Sequence, residues 1–180
     1  MRQEQLNLTG FSKKEKRRDL DFYPTPPAVT IALMDFLKLQ PCVIWEPASG
    51  TGSMSNVIKN YGHIVIETDI LTGNDFFNTY NECNAIITNP PFNLSEKFIV
   101  KSLQTADIVC MLLKCQYWHA AKRINTFKKS LPSYILPLTW RPDFMNGERG
   151  GSPTMEVLWT VWIKGNNDCR YIPLEKPFKK

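Results

Sequence analysis

The stretch from Cys42 to Ile70 restricts the fold more than any other part of the chain. Cys42-Val43-Ile44-Trp45 is a short apolar run that passes into Glu46-Pro47-Ala48-Ser49-Gly50-Thr51-Gly52. Ser53 to Tyr61 follows with helical patterning closed by Gly62, and His63-Ile64-Val65-Ile66-Glu67-Thr68-Asp69-Ile70 is a second apolar run that finishes in acid. Strand, glycine turn, helix and strand in that order make a β-α-β unit, whose strands lie parallel. A parallel sheet must be covered on both faces, so the rest of the chain has to supply helices for each.

It does so by alternation. Ala28 to Leu39 reads as an amphipathic helix, Ala85 to Thr88 as a buried strand, Ser95 to Thr105 as a helix, Asp107 to Leu113 as a strand and Tyr117 to Lys128 as another helix. Tyr134-Ile135-Leu136-Pro137-Leu138 reads as a strand whose proline suggests an irregular or edge position, and Met155 to Lys164 as the last strand. This pattern predicts an α/β fold with a mostly parallel sheet and helices on both faces. With 180 residues the chain is long enough for one full core and too short for two ordinary domains. The catalytic unit is expected over residues 21–166, after a basic N-terminal tail (1–20) and before a C-terminal tail (167–180). The one long irregular segment, residues 139–154, is of a length that tends to carry function.

Composition narrows the function classes. No run of 18 apolar residues and no signal-peptide pattern is present, which predicts a cytoplasmic protein with no membrane partner. The five cysteines lack C-x-x-C spacing and only His63 and His119 accompany them, so reduced thiols and no metal site are expected. The formal charge of +5 suits a polyanionic partner without demanding one. The cluster Lys13-Lys14-Glu15-Lys16-Arg17-Arg18 is a candidate for phosphate contact, as are Arg141 and Arg149 in the long loop.

In an open α/β sheet, ligands bind beyond the carboxyl ends of the strands, and the unusual residues of this chain collect there. Gly50 and Gly52 let the backbone approach a ligand closely, and an acid ending the second strand is placed to accept ribose hydroxyls. Asp69 is the choice for that acid, with Glu67 as the competitor. The third glycine of a dinucleotide site is missing, as is the Gly-Lys-Ser/Thr of a phosphate loop, so a nucleoside without pyrophosphate fits better. The apolar run 85–88 ends in Asn89-Pro90-Pro91-Phe92. Neither proline has an N–H, so the corner is rigid and rich in acceptors beside an aromatic face. The Asn89 side-chain oxygen and the Pro90 carbonyl would hold the two hydrogens of a planar amine while Phe92 stacks on its ring.

Taken in this order, the motifs resemble those of S-adenosylmethionine-dependent adenine-N6 DNA methyltransferases, of the small kind found in bacteriophages and prophages. The resemblance runs from Asp21 to Lys164. It implies a single-domain Rossmann-like class I methyltransferase with a seven-stranded sheet, the last strand antiparallel, the cofactor over the first two strands and the target base over the fourth. Tyr23-Pro24-Thr25-Pro26 resembles the family's N-terminal cofactor motif, with Tyr23 and Thr25 at the methionine end. Glu46 to Gly52 resembles its glycine motif, which assigns Glu46, Ala48, Gly50 and Gly52 to the cofactor. By the same resemblance Asp69 with Ile70 holds the ribose, Asp75-Phe76 holds the cofactor adenine, and Asn89, Pro90, Pro91 and Phe92 form the catalytic corner. Arg141-Pro142-Asp143-Phe144 with Trp159 and Trp162 is similar to the C-terminal hairpin of phage members. A separate recognition region is not evident, which leaves residues 139–154 and the basic ends to contact DNA.

An amine inside a duplex is out of reach of such a pocket, so the target adenine is expected flipped out or single-stranded. The same corner also occurs in enzymes that methylate RNA adenine or the amide of a protein glutamine, and a nucleic-acid-binding module that keeps this fold without turnover is the remaining alternative. Trp159 and Trp162, three apart on a strand, cannot share a face and are expected mostly in the core.

Overall fold

The four-residue apolar run Ala85–Thr88 becomes a fully buried strand because both of its faces find a helical layer. The computed structural model describes residues 24–145, 153–166 and 168–178. Its strands are β1 (Val43–Glu46), β2 (Ile64–Glu67), β3 (Ala85–Thr88), β4 (Ile108–Lys114), β5 (Tyr134–Pro137), β6 (Val157–Ile163) and β7 (Arg170–Tyr171). The helices are α1 (Pro27–Leu37), α2 (Ser53–Asn60), α3 (Ser95–Thr105) and α4 (Ile124–Lys129), with 3-10 turns at Ile70–Thr72, Cys115–His119 and Ala121–Arg123.

The seven strands form one sheet in the order β2-β1-β3-β4-β6-β5-β7. β1 pairs in parallel with β2 and β3, and β3 with β4. β6 runs against both β4 and β5 and is the antiparallel strand expected at 155–164. On one face α1 and α2 cover Ile44, Ile87, Cys110 and Trp159 with Val29, Leu33, Met54 and Ile58. On the other, α3 covers Trp45, Ile86, Val109 and Trp162 with Phe98 and Ile99. The two tryptophans of β6 thus enter opposite cores, as the period of two requires. Each indole N–H is satisfied, Trp159 donating to the Val29 carbonyl at 3.1 Å and Trp162 to the Ser130 carbonyl at 2.9 Å.

Three expectations change. The helix expected from Tyr117 to Lys128 is two 3-10 turns and the six-residue α4. Its adjacent aromatics Tyr117 and Trp118 both pack inward, with ring centroids 4.9 Å apart, and Trp118 also meets Phe127 and Trp162. The described residues 168–178, within the expected C-terminal tail, carry structure: β7 pairs in parallel with β5, Leu138 bridges Leu174, and Leu174 is buried. β5 therefore has a neighbour on each side, and its Pro137 accepts through its carbonyl from the Leu174 N–H at 2.8 Å. Finally, the Asn89-Pro90-Pro91-Phe92 corner follows the third strand in chain order, not the fourth, because the stretch between β2 and β3 contains a 3-10 turn and no strand. The basic N-terminal cluster, Tyr23 and Arg149 lie outside the described residues.

Candidate active site

The carboxyl ends of β1, β2, β3 and β4 open onto one cleft of ≈ 700 Å³. Its floor is the turn after β1. Gly50 and Gly52 take positive φ of 52° and 76°, a backbone that favours glycine, and a Cβ on Gly52 would come within 3.2 Å of Glu67 Oε2. The turn is pinned to β2 by the Thr68 N–H on the Glu46 carbonyl and the Ser49 N–H on the Thr68 carbonyl, both at 3.1 Å.

Asp69, just past β2, completes this floor. Its Oδ2 accepts from the Gly50 N–H and its Oδ1 from the Leu71 N–H, each at 2.8 Å, so the carboxylate ties the glycine turn to the next 3-10 turn. It is buried yet lines the cleft, and each oxygen retains a second lone pair. Glu67 ends β2, is engaged by Lys59 through an ion pair, and does not line the cleft.

Glu46 sits at the bottom with 2% of its surface exposed. Burial pushes its carboxyl up to about 8, against the Ser55 hydroxyl that donates to Oε2, with the nearby Glu67 and Asp69 charges adding to the rise. A cation arriving beside it would favour the ionised form.

One wall is aromatic. Phe76 is buried, stacked on Phe98 at 4.7 Å and edge-on to Trp45 at 5.0 Å. Lys101 reaches from α3 to donate to the Phe76 and Thr79 carbonyls at 2.5 and 2.8 Å, which fixes the loop. Asp75 turns back on that loop, accepting from the Phe77 N–H at 2.9 Å and from Asn78 Nδ2 at 2.8 Å. Trp45 anchors the same wall by donating its indole N–H to Thr68 Oγ1 at 2.8 Å.

The opposite wall is the strand-end corner. Asn89 donates from Nδ2 to Thr25 Oγ1 at 3.1 Å. The Leu94 N–H closes a turn on the Pro91 carbonyl at 2.8 Å, and Ser95 Oγ donates to the Phe92 carbonyl at 3.0 Å, so Phe92 is held from its backbone. Lys114 Nζ, at the end of β4, lies 4.3 Å from the centre of the Phe92 ring.

Of the residues named from the sequence, Thr25, Glu46, Ala48, Gly50, Asp69 and Ile70 line the cleft. So do Asp75, Phe76, Asn89, Pro91 and Phe92. Gly52 shapes the turn without lining it, and Pro90 is buried behind the corner. Sequence reasoning missed Phe77, Leu71, Asn93 and Lys114, which also line the cleft. Lys114 was discoverable, because it ends a strand on the same edge as the other motifs. Arg141 is committed to Glu156, with Nη2 2.6 Å from Oε1. Among the described residues no group of three or more His, Cys, Asp or Glu is arranged to hold a metal, and no helix is long and apolar enough to cross a membrane.

A mostly parallel seven-stranded sheet with one inserted antiparallel strand and a cleft over its carboxyl edge defines the class: this is the fold of class I S-adenosylmethionine-dependent methyltransferases. Among solved structures, the chain is similar to a proposed RNA methyltransferase from Pyrococcus horikoshii, with a TM-score of 0.64 and 17% identity over 81% of this chain and 87% of that one. It is similar to a proposed class I S-adenosylmethionine-dependent methyltransferase from Listeria monocytogenes, with a TM-score of 0.59 and 12% identity over 84% of this chain and 65% of the other. A modification subunit of a proposed type I restriction enzyme from Vibrio vulnificus gives a TM-score of 0.59 and 11% identity, covering 91% of this chain and 49% of the subunit. No protein-family model matches the chain, and no curated protein matches its sequence. What these proteins share with it is the fold.

Proposed function

We propose that this protein transfers a methyl group from S-adenosylmethionine to the exocyclic N6 amine of adenine in DNA. The observation that carries the reading is the meeting, in one cleft, of the glycine turn with Asp69 on one side and Asn89, Pro91 and Phe92 on the other. The residues present fit the methyl donor. Gly50 lines the cleft with bare backbone, Asp69 offers acceptors to a ribose, Asp75 and the Phe76-Phe77 wall suit an adenine, and the buried acid Glu46 suits a cationic methionine end. When bound, S-adenosylmethionine supplies a methyl group on a sulfonium leaving group.

The protein's own part is positioning. Thr25 orients the Asn89 amide, and Asn89 Oδ1 accepts one hydrogen of the target amine, with the Pro90 carbonyl at the back of the corner as the second acceptor. Phe92 stacks on the base. Both acceptors hold the nitrogen better as it becomes tetrahedral and positive, so they act on the transition state more than on the bound substrate. With that donor bound, the N–C bond would form as the C–S bond breaks, leaving S-adenosylhomocysteine, and the methylated amine would give its proton to water. Near-attack alignment of this kind contributes about 7–11 kcal/mol. The base reaches the corner flipped out of a duplex or from a single strand.

The test is incubation with methyl-labelled S-adenosylmethionine and, separately, duplex DNA, single-stranded DNA, RNA and protein extract. Label in N6-methyladenine of DNA supports the reading. Label only in RNA adenine or in glutamine amide moves the same corner to another substrate, and label nowhere means a binding module without turnover.

A further inference from the structure

The connection from β4 to β5 holds the most lopsided charge on the described surface. The sixteen residues from Lys114 to Lys129 contain Lys114, Lys122, Arg123, Lys128 and Lys129 and no carboxylate. Lys114, Lys122, Lys128 and Lys129 are exposed, and none of the four forms an ion pair with a described residue. Acids do face the segment from neighbouring elements, but both are engaged: Glu96 of α3 accepts from Thr126 Oγ1 at 3.2 Å, and Glu156 holds Arg141. The segment is also firmly seated. Arg123 stacks 3.8 Å from the Tyr117 ring centre and donates to the Tyr117 carbonyl, while Trp118 is wedged between Tyr117, Phe127 and Trp162.

Its first residue connects it to the chemistry. Lys114 Nζ lies over the Phe92 ring and lines the cleft, and the remaining cations follow along the connection as it crosses from that edge, where Thr126 meets Glu96 of α3, toward the start of β5. A base stacked on Phe92 carries its phosphodiester only a sugar away, within the sweep of a lysine side chain. Resting on Phe92 costs Lys114 no ion pair, so it is available to a phosphate. We infer that the β4–β5 connection, through Lys114, Lys122, Lys128 and Lys129, binds the phosphodiester backbone flanking the target nucleotide. This rests on the methyltransferase reading above and goes beyond it by placing the nucleic-acid interface on a segment other than the long loop and the chain ends, where the described Arg141 is already held by Glu156.

The test uses the full chain with S-adenosylhomocysteine and a fluorescent adenine-containing oligonucleotide, as single-stranded DNA and as RNA of the same sequence, titrated over a range of salt. Each phosphate contact on a single strand contributes about 0.7 to the slope of log affinity against log salt. The triple variant Lys122→Gln, Lys128→Gln, Lys129→Gln should lower the slope by about 2, and Lys114→Gln by about 0.7. Lys164→Gln, at the opposite edge of the sheet where Lys164 pairs with Asp107, should leave it unchanged. Circular dichroism confirms that each variant is folded. An unchanged slope in the triple variant overturns the inference while leaving the methyl-transfer reading standing. Loss on RNA alone keeps the surface and moves the target to RNA, whereas a wild-type chain that binds neither polymer and labels only protein overturns both.

Discussion

Asn89 and Thr25 are 64 residues apart in sequence, yet the asparagine amide donates to the threonine hydroxyl across 3.1 Å. This bond joins the segment before α1 to the end of β3 and engages the nitrogen end of the amide. Thr25→Val keeps the shape and removes the acceptor. The methyl-transfer rate in single turnover should then fall about tenfold, the value of one hydrogen bond of about 1.4 kcal/mol, with the fold intact. A rate equal to wild type would show that the amide is oriented by other contacts.

Asp69 is predicted to act twice, on the turn and on the cofactor. Because both oxygens hold backbone N–H groups, Asp69→Ala leaves those donors unmet and loosens the glycine turn as well as the ribose contact. Cofactor affinity measured by calorimetry should weaken by about 1–3 kcal/mol. The competing acid is tested in parallel: Glu67→Gln, outside the cleft, should change affinity by less. The reverse order of the two variants would exchange their roles.

Glu46 makes stability depend on pH in a direction that can be stated. Its carboxyl is raised from 4.5 to about 8, so the native protein keeps a proton that the unfolded chain has lost. The stabilisation is complete below 4.5 and is lost as pH rises through about 8. In urea denaturation, wild type should lose stability relative to Glu46→Gln across that window. Binding of a cationic methionine end would favour the ionised form, so cofactor binding should release a proton in wild type and less in Glu46→Gln. Calorimetry in two buffers of different ionisation heat reads this directly.

The C-terminal strand yields a stability prediction. Leu174 is 6% exposed and belongs to the core on the α1 face. Leu174→Ala should cost about 2–5 kcal/mol in chemical denaturation, as for other buried leucines. A cost near zero would return the segment to the status of a tail.

The parts of this molecule legible in the sequence are those whose signal is local. The strands β1, β3 and β4 are apolar runs, β1 and β3 closed by a proline within two residues and β4 opened by Asp107, and α3 matches its expected limits of Ser95 and Thr105 because its pattern is amphipathic throughout. The cleft was legible for the same reason, since each motif sits at a strand end and the topology carries all of them to one edge. Non-local packing was not legible. Arg123 reaching back to Tyr117, the short pairing of Arg170 and Tyr171 with β5, and Lys114 over Phe92 all depend on partners that no spacing rule connects. Likewise, two engaged oxygens on Asp69 cannot be foreseen from an acid at the end of an apolar run.

The central claim is that Asn89 works as a hydrogen-bond acceptor for an amine in the transition state, and single-turnover transfer from S-adenosylmethionine to an adenine oligonucleotide tests it most directly. Asn89→Ala should slow transfer by at least about 10²- to 10³-fold with little change in substrate binding. Asn89→Asp keeps an acceptor oxygen at the same place and should retain part of the activity. Asp and Ala variants equally inactive would contradict the acceptor role, and Ala as fast as wild type would place the catalytic corner elsewhere.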